Sequence, residues 1–84
     1  MASDVVTERV RGLFLRALNI DVPDADADLI DGGLLDSLGL VELLFALEQE
    51  FGIKISFDVI DIESFRTVSS IGDFVEAAAR NGSA

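Results

Sequence analysis

Ser37 is the side chain of this 84-residue sequence with the best-defined chemical opportunity. It follows Asp36 and opens a stretch in which Leu40, Leu43, Leu44, Leu47 and Phe51 recur at helical spacing, so Asp36 or Ser37 stands where a helix N-cap belongs. A serine hydroxyl is a weak nucleophile until a base takes its proton, and the chain contains no His to do so. Nor does a Gly-x-Ser-x-Gly turn surround it, which speaks against hydrolysis by this chain alone. The hydroxyl is therefore either a simple cap or a group that another protein activates. Asp-Ser-Leu is a common tripeptide and decides nothing by itself, but the position favours one modification. A helix N-terminus presents unpaired backbone N–H groups and the positive end of the helix dipole, a favourable field for a phosphodiester on Ser37.

A second candidate is the acidic run before the serine. Counted from Asp24, the residues Asp24, Asp26 and Asp28 fall on the first three ligand positions of an EF-hand calcium loop. The match then fails, because the sixth position needs Gly and is Leu29, while the twelfth needs a bidentate Glu and is Leu35. The expectation is a solvated acidic loop. With no Cys and no His, a disulfide framework, a thiolate zinc site and the commonest metal ligand are all missing.

Four helices and the connections between them must position these residues. Val6, Val10, Leu13, Phe14 and Ala17 share one helical face, which predicts a first helix over about 4–18 with Ser3 or Asp4 as N-cap. Residues 19–36 read as a long connection holding the single Pro, Pro23, and the pair Gly32 and Gly33. Its Ile20, Val22, Leu29, Ile30, Leu34 and Leu35 predict that it is pinned on the core at intervals. The second helix should run from Asp36 or Ser37 to about Phe51 and stop at Gly52. It carries two apolar stripes, the core row already named and a flanking row of Leu38, Val41 and Phe45, where a surface helix needs one. Either the helix is packed on several sides or the flanking row meets a partner. Ile53, Ile55 and Phe57 alternate with polar residues but have no sheet to join, so they read as an extended loop. A short third helix is expected over about 58–65. A fourth, capped by Thr67, should place Val68, Ile71, Val75, Ala78 and Ala79 inward and end at Asn81 or Gly82.

Length and composition bound the role. A chain this short makes one domain, expected here as residues 1–84 with a core over about 4–80, and it buries only roughly 60 to 65 per cent of its unfolded surface. That favours binding or carrying over catalysis in a deep site. Hydrophobic residues make up 50% and spread along the chain, so it should fold despite a formal net charge of -10. With 16 acidic against 6 basic side chains it repels nucleic acid and steers basic protein surfaces toward itself. No apolar run reaches the roughly 18 residues of a membrane span, and the start lacks a basic signal-type segment, so a cytoplasmic location is expected.

The stretch from Gly33 through Asp36-Ser37-Leu38-Gly39-Leu40-Val41-Glu42 to Glu48-Gln49-Glu50-Phe51-Gly52 resembles the attachment motif and second helix of acyl and peptidyl carrier proteins. The preceding long loop and the later Thr67-Val68-Ser69-Ser70-Ile71 also fall where that family has them, so the resemblance covers nearly the whole chain. It implies an all-α, four-helix bundle with a long loop between helices one and two and a short helix three. It further implies 4'-phosphopantetheine, taken from coenzyme A and joined to Ser37 by a separate magnesium-dependent phosphopantetheinyl transferase. The arm's thiol then holds cargo as a thioester, and the chain is no enzyme. By the same resemblance Asp36 presents the site to the transferase and Leu38 packs against it. Val41 and Phe45, with Glu42 and Glu48, form the face read by partner enzymes.

Many fatty-acid carriers have an acid where this chain has Gly39 and another where it has Gln49, which argues against the housekeeping fatty-acid class. The run Asp31-Gly32-Gly33-Leu34-Leu35-Asp36-Ser37, with Phe57-Asp58 and Glu63-Ser64-Phe65-Arg66-Thr67 later, is similar to discrete D-alanyl-type carriers and free-standing natural-product carriers. The expected cargo is an acyl, aminoacyl or hydroxyacyl group. The expected partners are the transferase, a loading ligase and downstream synthases, transferases or tailoring enzymes, met by a monomer. Both termini lie near the domain edges, as in a free-standing protein, although a module excised from a larger synthase would look the same. The alternatives are a housekeeping fatty-acid carrier and, from another class, an unmodified acidic helical interaction module.

Overall fold

Helix α1, Asp4–Leu18, forms because Val10, Leu13 and Phe14 line one side of it and are removed from water, with Val6 and Leu18 packed at the edge. Ala17, expected on that inner side, is exposed, and Leu18 packs against the core in the last turn instead. The helix stops at Asn19, which takes a left-handed φ of 58° that few residues other than Gly accept. Its N–H donates to the Leu15 carbonyl at 3.1 Å, and that of Ile20 to the Phe14 carbonyl at 3.1 Å. The computed structural model describes residues 4–55 and 61–80. Ser3, Ser56, Phe57, Asp58, Asn81 and Gly82, to which the sequence assigned caps, loop positions or helix ends, lie outside the described residues.

Helix α2, Ser37–Phe51, buries Leu43, Leu44 and Leu47 and half-buries Leu40 and Phe51. Gly52 ends it in the left-handed region (φ 65°, ψ 34°), donating its N–H to the Glu48 carbonyl at 3.0 Å. Residues 53–55 follow as irregular chain, with Ile53 buried, Lys54 exposed and Ile55 half-buried. Helix α3, Val68–Arg80, starts from a reciprocal cap. The Thr67 hydroxyl accepts the Ser70 N–H at 3.0 Å, and the Ser70 hydroxyl accepts the Thr67 N–H at 3.1 Å. Val68, Ile71, Gly72 and Val75 are buried, and Phe74 tilts against Phe65 with ring centroids 5.1 Å apart. Ala79, expected inward, is exposed at the end of the helix. Helix α1 packs on both α2 and α3.

The regular structure among the described residues is therefore all helical, with three α-helices and one 3₁₀ helix, Ile62–Phe65. The short third helix expected over about 58–65 is corrected to this single tight turn for the part that is described. Asp61 is extended (φ -113°, ψ 122°) and its side chain caps the turn by accepting the Glu63 N–H at 3.1 Å. Thr67 then has to begin α3, so only one turn fits between the two caps.

Residues 19–36 contain turns but neither helix nor strand. Leu29 is their anchor. Its side chain is fully buried, its carbonyl accepts the N–H groups of Leu34 and Leu35 at 2.9 Å each, and its own N–H donates to the Arg66 carbonyl at 2.7 Å. Val22 and Leu35 are buried beside it, and the Ser69 N–H reaches the Ala25 carbonyl at 3.0 Å. Gly32 is needed by close approach, since a Cβ there would lie 2.6 Å from the Asp28 carbonyl oxygen.

The acidic run is more structural than the solvated loop expected from sequence. Asp24 accepts the Asp26 N–H at 3.0 Å, and Asp26 accepts the Ser69 hydroxyl at 3.1 Å. Asp28 accepts the N–H groups of Asp31 and Ile30 at 2.8 and 3.0 Å and pairs with the Arg66 guanidinium at 3.1 Å. The Asp31 N–H, and then Arg66, hold the Asp28 carboxyl below its ordinary range against some desolvation. A lowered folded-state pKa means stability that is present at neutral pH and lost as pH falls through that pKa. The stability difference between wild type and Asp28→Asn should therefore shrink as urea denaturation is repeated from about pH 6 down to about pH 2. A constant difference across that range would show that ionised Asp28 is not what holds the turn.

Candidate functional site

Asp36 is the N-cap of α2, which resolves the choice between it and Ser37. Its backbone is extended (φ -107°, ψ -176°), its Oδ1 accepts the Gly39 N–H at 2.7 Å, and its carbonyl accepts the Leu40 N–H at 2.8 Å. Ser37 is consequently the first helical residue, and it is exposed. A Cβ on Gly39 would sit 3.1 Å from Asp36 Oδ1 and 3.4 Å from Leu35 Cδ1, so the missing side chain leaves room for the capping bond. The first turn of α2 carries no carboxylate. The helix dipole favours a negative group on Ser37 by about 0.3 to 1 kcal/mol, while the neighbouring Asp36 carboxylate, held by the Gly39 N–H, opposes it.

Beside Ser37 lies a groove of about 320 Å³ lined by Ile30, Leu35, Asp36, Ser37, Leu40 and Ile62. Its walls come from three segments, the long connection, the start of α2 and the 3₁₀ helix. Four of its six lining residues are aliphatic, so the exposed hydroxyl sits at the edge of an apolar surface.

Of the other residues singled out from sequence, Leu38, Val41 and Phe45 project to solvent at 69%, 48% and 64% exposure. The core row of the same helix faces inward, so the two stripes have opposite environments. Glu42 is exposed beside the outer row. Glu48 is half-buried, and its Oε2 accepts the Ile55 N–H at 2.7 Å, which fixes the chain leaving α2. Sequence reasoning missed that bond, the groove walls Ile30 and Ile62, and the role of Arg66. The signal for Arg66 was a single cation between Lys54 and Arg80, in a chain whose connection 19–36 is rich in aspartate. Among the described residues no group of His, Cys, Asp or Glu is arranged to hold a metal ion.

Residues 8–75 match the family described as "Phosphopantetheine attachment site". The chain belongs to that family. It is similar to the D-alanyl carrier proteins of Streptococcus pyogenes serotype M5 (strain Manfredo) and Streptococcus uberis (strain ATCC BAA-854 / 0140J). Each is 42% identical over 72 residues, covering 84% of this chain and 91% of the relative. Among solved structures it is similar to the apo form of KstB-PCP, at 36% identity and a TM-score of 0.63, covering 89% of this chain and 82% of that one.

This phosphopantetheine carrier is thus a non-catalytic protein that holds 4'-phosphopantetheine covalently. The site fits such a group. It offers an exposed hydroxyl at the positive end of a helix and an apolar groove alongside, with the one adjacent carboxylate, Asp36, engaged in the cap. Among the described residues of the carrier no helix is long and apolar enough to cross a membrane. Because the geometry of the site starts at the cap, Asp36→Ala should lower stability by about 1 kcal/mol in urea denaturation, and Asp36→Asn should retain most of it. Equal losses in both variants would show that the charge of Asp36, and not its capping bond, supports the helix start.

Proposed function

We propose that Ser37 is the attachment residue and that the protein carries an aminoacyl, hydroxyacyl or other small acyl group as a thioester for a specialised biosynthetic pathway. The observation that supports this most strongly is the exposed Ser37 hydroxyl at the first position of α2, with Asp36 committed to the cap directly before it. On this reading a phosphopantetheinyl transferase with magnesium and coenzyme A accepts the Ser37 proton, the Ser37 Oγ–P bond forms, and the phosphoanhydride bond of coenzyme A breaks to release adenosine 3',5'-bisphosphate. When attached, the arm supplies a terminal thiol on which cargo is held. The D-alanyl carrier relatives and the likeness to KstB-PCP support small or aminoacyl cargo over a long fatty chain.

The chain's own contribution is presentation. Leu38, Val41 and Phe45 form an apolar row on the helix that begins at Ser37, and Glu42 beside them steers basic surfaces toward it. Docking of this size is weak, as a shuttle between a loading ligase and downstream synthases, transferases or tailoring enzymes requires. Glu48 contributes less to such docking than the resemblance implies, since its carboxylate is engaged with Ile55. The 3₁₀ helix stands for the short third element of the four-helix carrier arrangement, and residues 1–84 act as one cytoplasmic, monomeric carrier domain.

Incubation with coenzyme A, magnesium and a broad-specificity transferase should add the mass of one phosphopantetheine to the wild type and nothing to Ser37→Ala. Modification of the alanine variant would move the attachment elsewhere. For the docking row, Phe45→Glu or Val41→Glu should lower kcat/KM for transfer by roughly tenfold. The unfolding midpoint should move little, because exposed positions rarely change stability by more than about 0.5 kcal/mol. Loss of helicity in these variants would instead return both side chains to the core.

A further inference from the structure

Arg66 joins two segments that wall the groove beside Ser37. Its Nη1 contacts Asp28 Oδ2 at 3.1 Å and Asp31 Oδ2 at 3.4 Å in the long connection. Its Nη2 and Nε reach Glu63 Oε2 in the 3₁₀ helix at 2.7 and 3.0 Å. The groove residues Ile30 and Ile62 are the sequence neighbours of these contacts, Ile30 between Asp28 and Asp31, and Ile62 directly before Glu63. One planar guanidinium therefore spans from one wall to the other.

A single exposed ion pair contributes little, because two long side chains must be ordered to make it. This arrangement differs in two respects. Three carboxylates converge on one cation, and the Asp28 carboxylate is already fixed by the Ile30 and Asp31 N–H groups before Arg66 arrives. The flat guanidinium also meets both walls with separate N–H groups, which the point charge of a lysine does not reproduce.

The side chain of Arg66 is one of several ties on the connection. Leu29 is buried at its centre, and the Leu29 N–H bonds to the Arg66 backbone carbonyl, which any substitution preserves. Ser69 adds two further ties, to Ala25 and Asp26. The guanidinium fork is left with a narrower task, the relative placement of residues 28–31 and residues 61–63.

We propose that Arg66 is a positioning residue that sets the spacing of the groove walls, so that Ile30 and Ile62 together receive the apolar carbons that follow the phosphate of a group esterified to Ser37. The part of the claim that concerns the group rests on Ser37 being the attachment residue; the part that concerns the walls does not.

The test uses the full chain with isoleucine methyls labelled for NMR, as wild type, Arg66→Lys, Arg66→Gln and, as a control, Arg9→Gln. The control breaks an exposed contact with Glu50, and neither residue lines the groove. In the apo proteins, both Arg66 variants should shift the Ile30 and Ile62 methyl resonances, with Lys failing to rescue, while Arg9→Gln leaves them in place and all four remain folded. On conversion to the phosphopantetheinylated form, both methyls should shift in wild type and in Arg9→Gln, and that response should be lost in both Arg66 variants. Wild-type positions of these methyls in the apo Arg66 variants, or a full response to the arm without the fork, would overturn the proposal. If no mass is added to wild type, the attachment reading fails instead, and the apo spectra still decide whether Arg66 sets the walls.

Discussion

Leu29 is the residue on which the placement of everything around Ser37 depends. A connection without helix or strand can rest on a hydrophobic core only if the polar backbone groups it buries find partners, and Leu29 supplies this by bonding through both its N–H and its carbonyl while its side chain fills the core. The two bonds from Leu34 and Leu35 back to its carbonyl fold the chain immediately before Asp36. Leu35 is then buried and Asp36 emerges extended, so that α2 starts at the surface with its first hydroxyl in water. An accessible Ser37 is thus a consequence of a buried Leu29.

Helix α2 has to satisfy two surfaces. Burying Leu43, Leu44 and Leu47 stabilises the fold by about 1.5 to 3 kcal/mol each, which commits the inner face. The outer row of Leu38, Val41 and Phe45 stays largely in water on a chain of net charge -10, which is why it is proposed above as a docking face. A carrier that visits several enzymes needs contacts that form quickly and release, and the proposed docking row, with Glu42 at its edge, would suit that need.

The local rules of capping and periodicity make much of this legible in the sequence. Thr67 as a cap, Gly52 as a stop and the split between the two rows of α2 were all readable, because each depends on residues within a few positions of one another. Pinning of the connection was readable from its spaced Leu and Val residues, as Val22, Leu29 and Leu35 show. What was not readable depends on pairs far apart in the chain. Asp28 looked like a solvated acid because its partner stands at position 66, and the groove was invisible because its walls come from segments about thirty residues apart. The short third helix is seen over its described part as the 3₁₀ turn Ile62–Phe65, because the Asp61 and Thr67 caps stand close together, which periodicity does not register. Ala17 and Ala79 lie in last turns, where a small side chain carries little information about which way it points.

The proposed carrier role requires one phosphoester bond, at Ser37. Its most direct test is fragmentation mass spectrometry of the protein isolated from the cells that make it, with the modification assigned to a residue. The predicted result is one phosphopantetheine on Ser37 and none on any other serine. Native protein that is never modified, or that bears the group on a serine away from the first turn of α2, would contradict it.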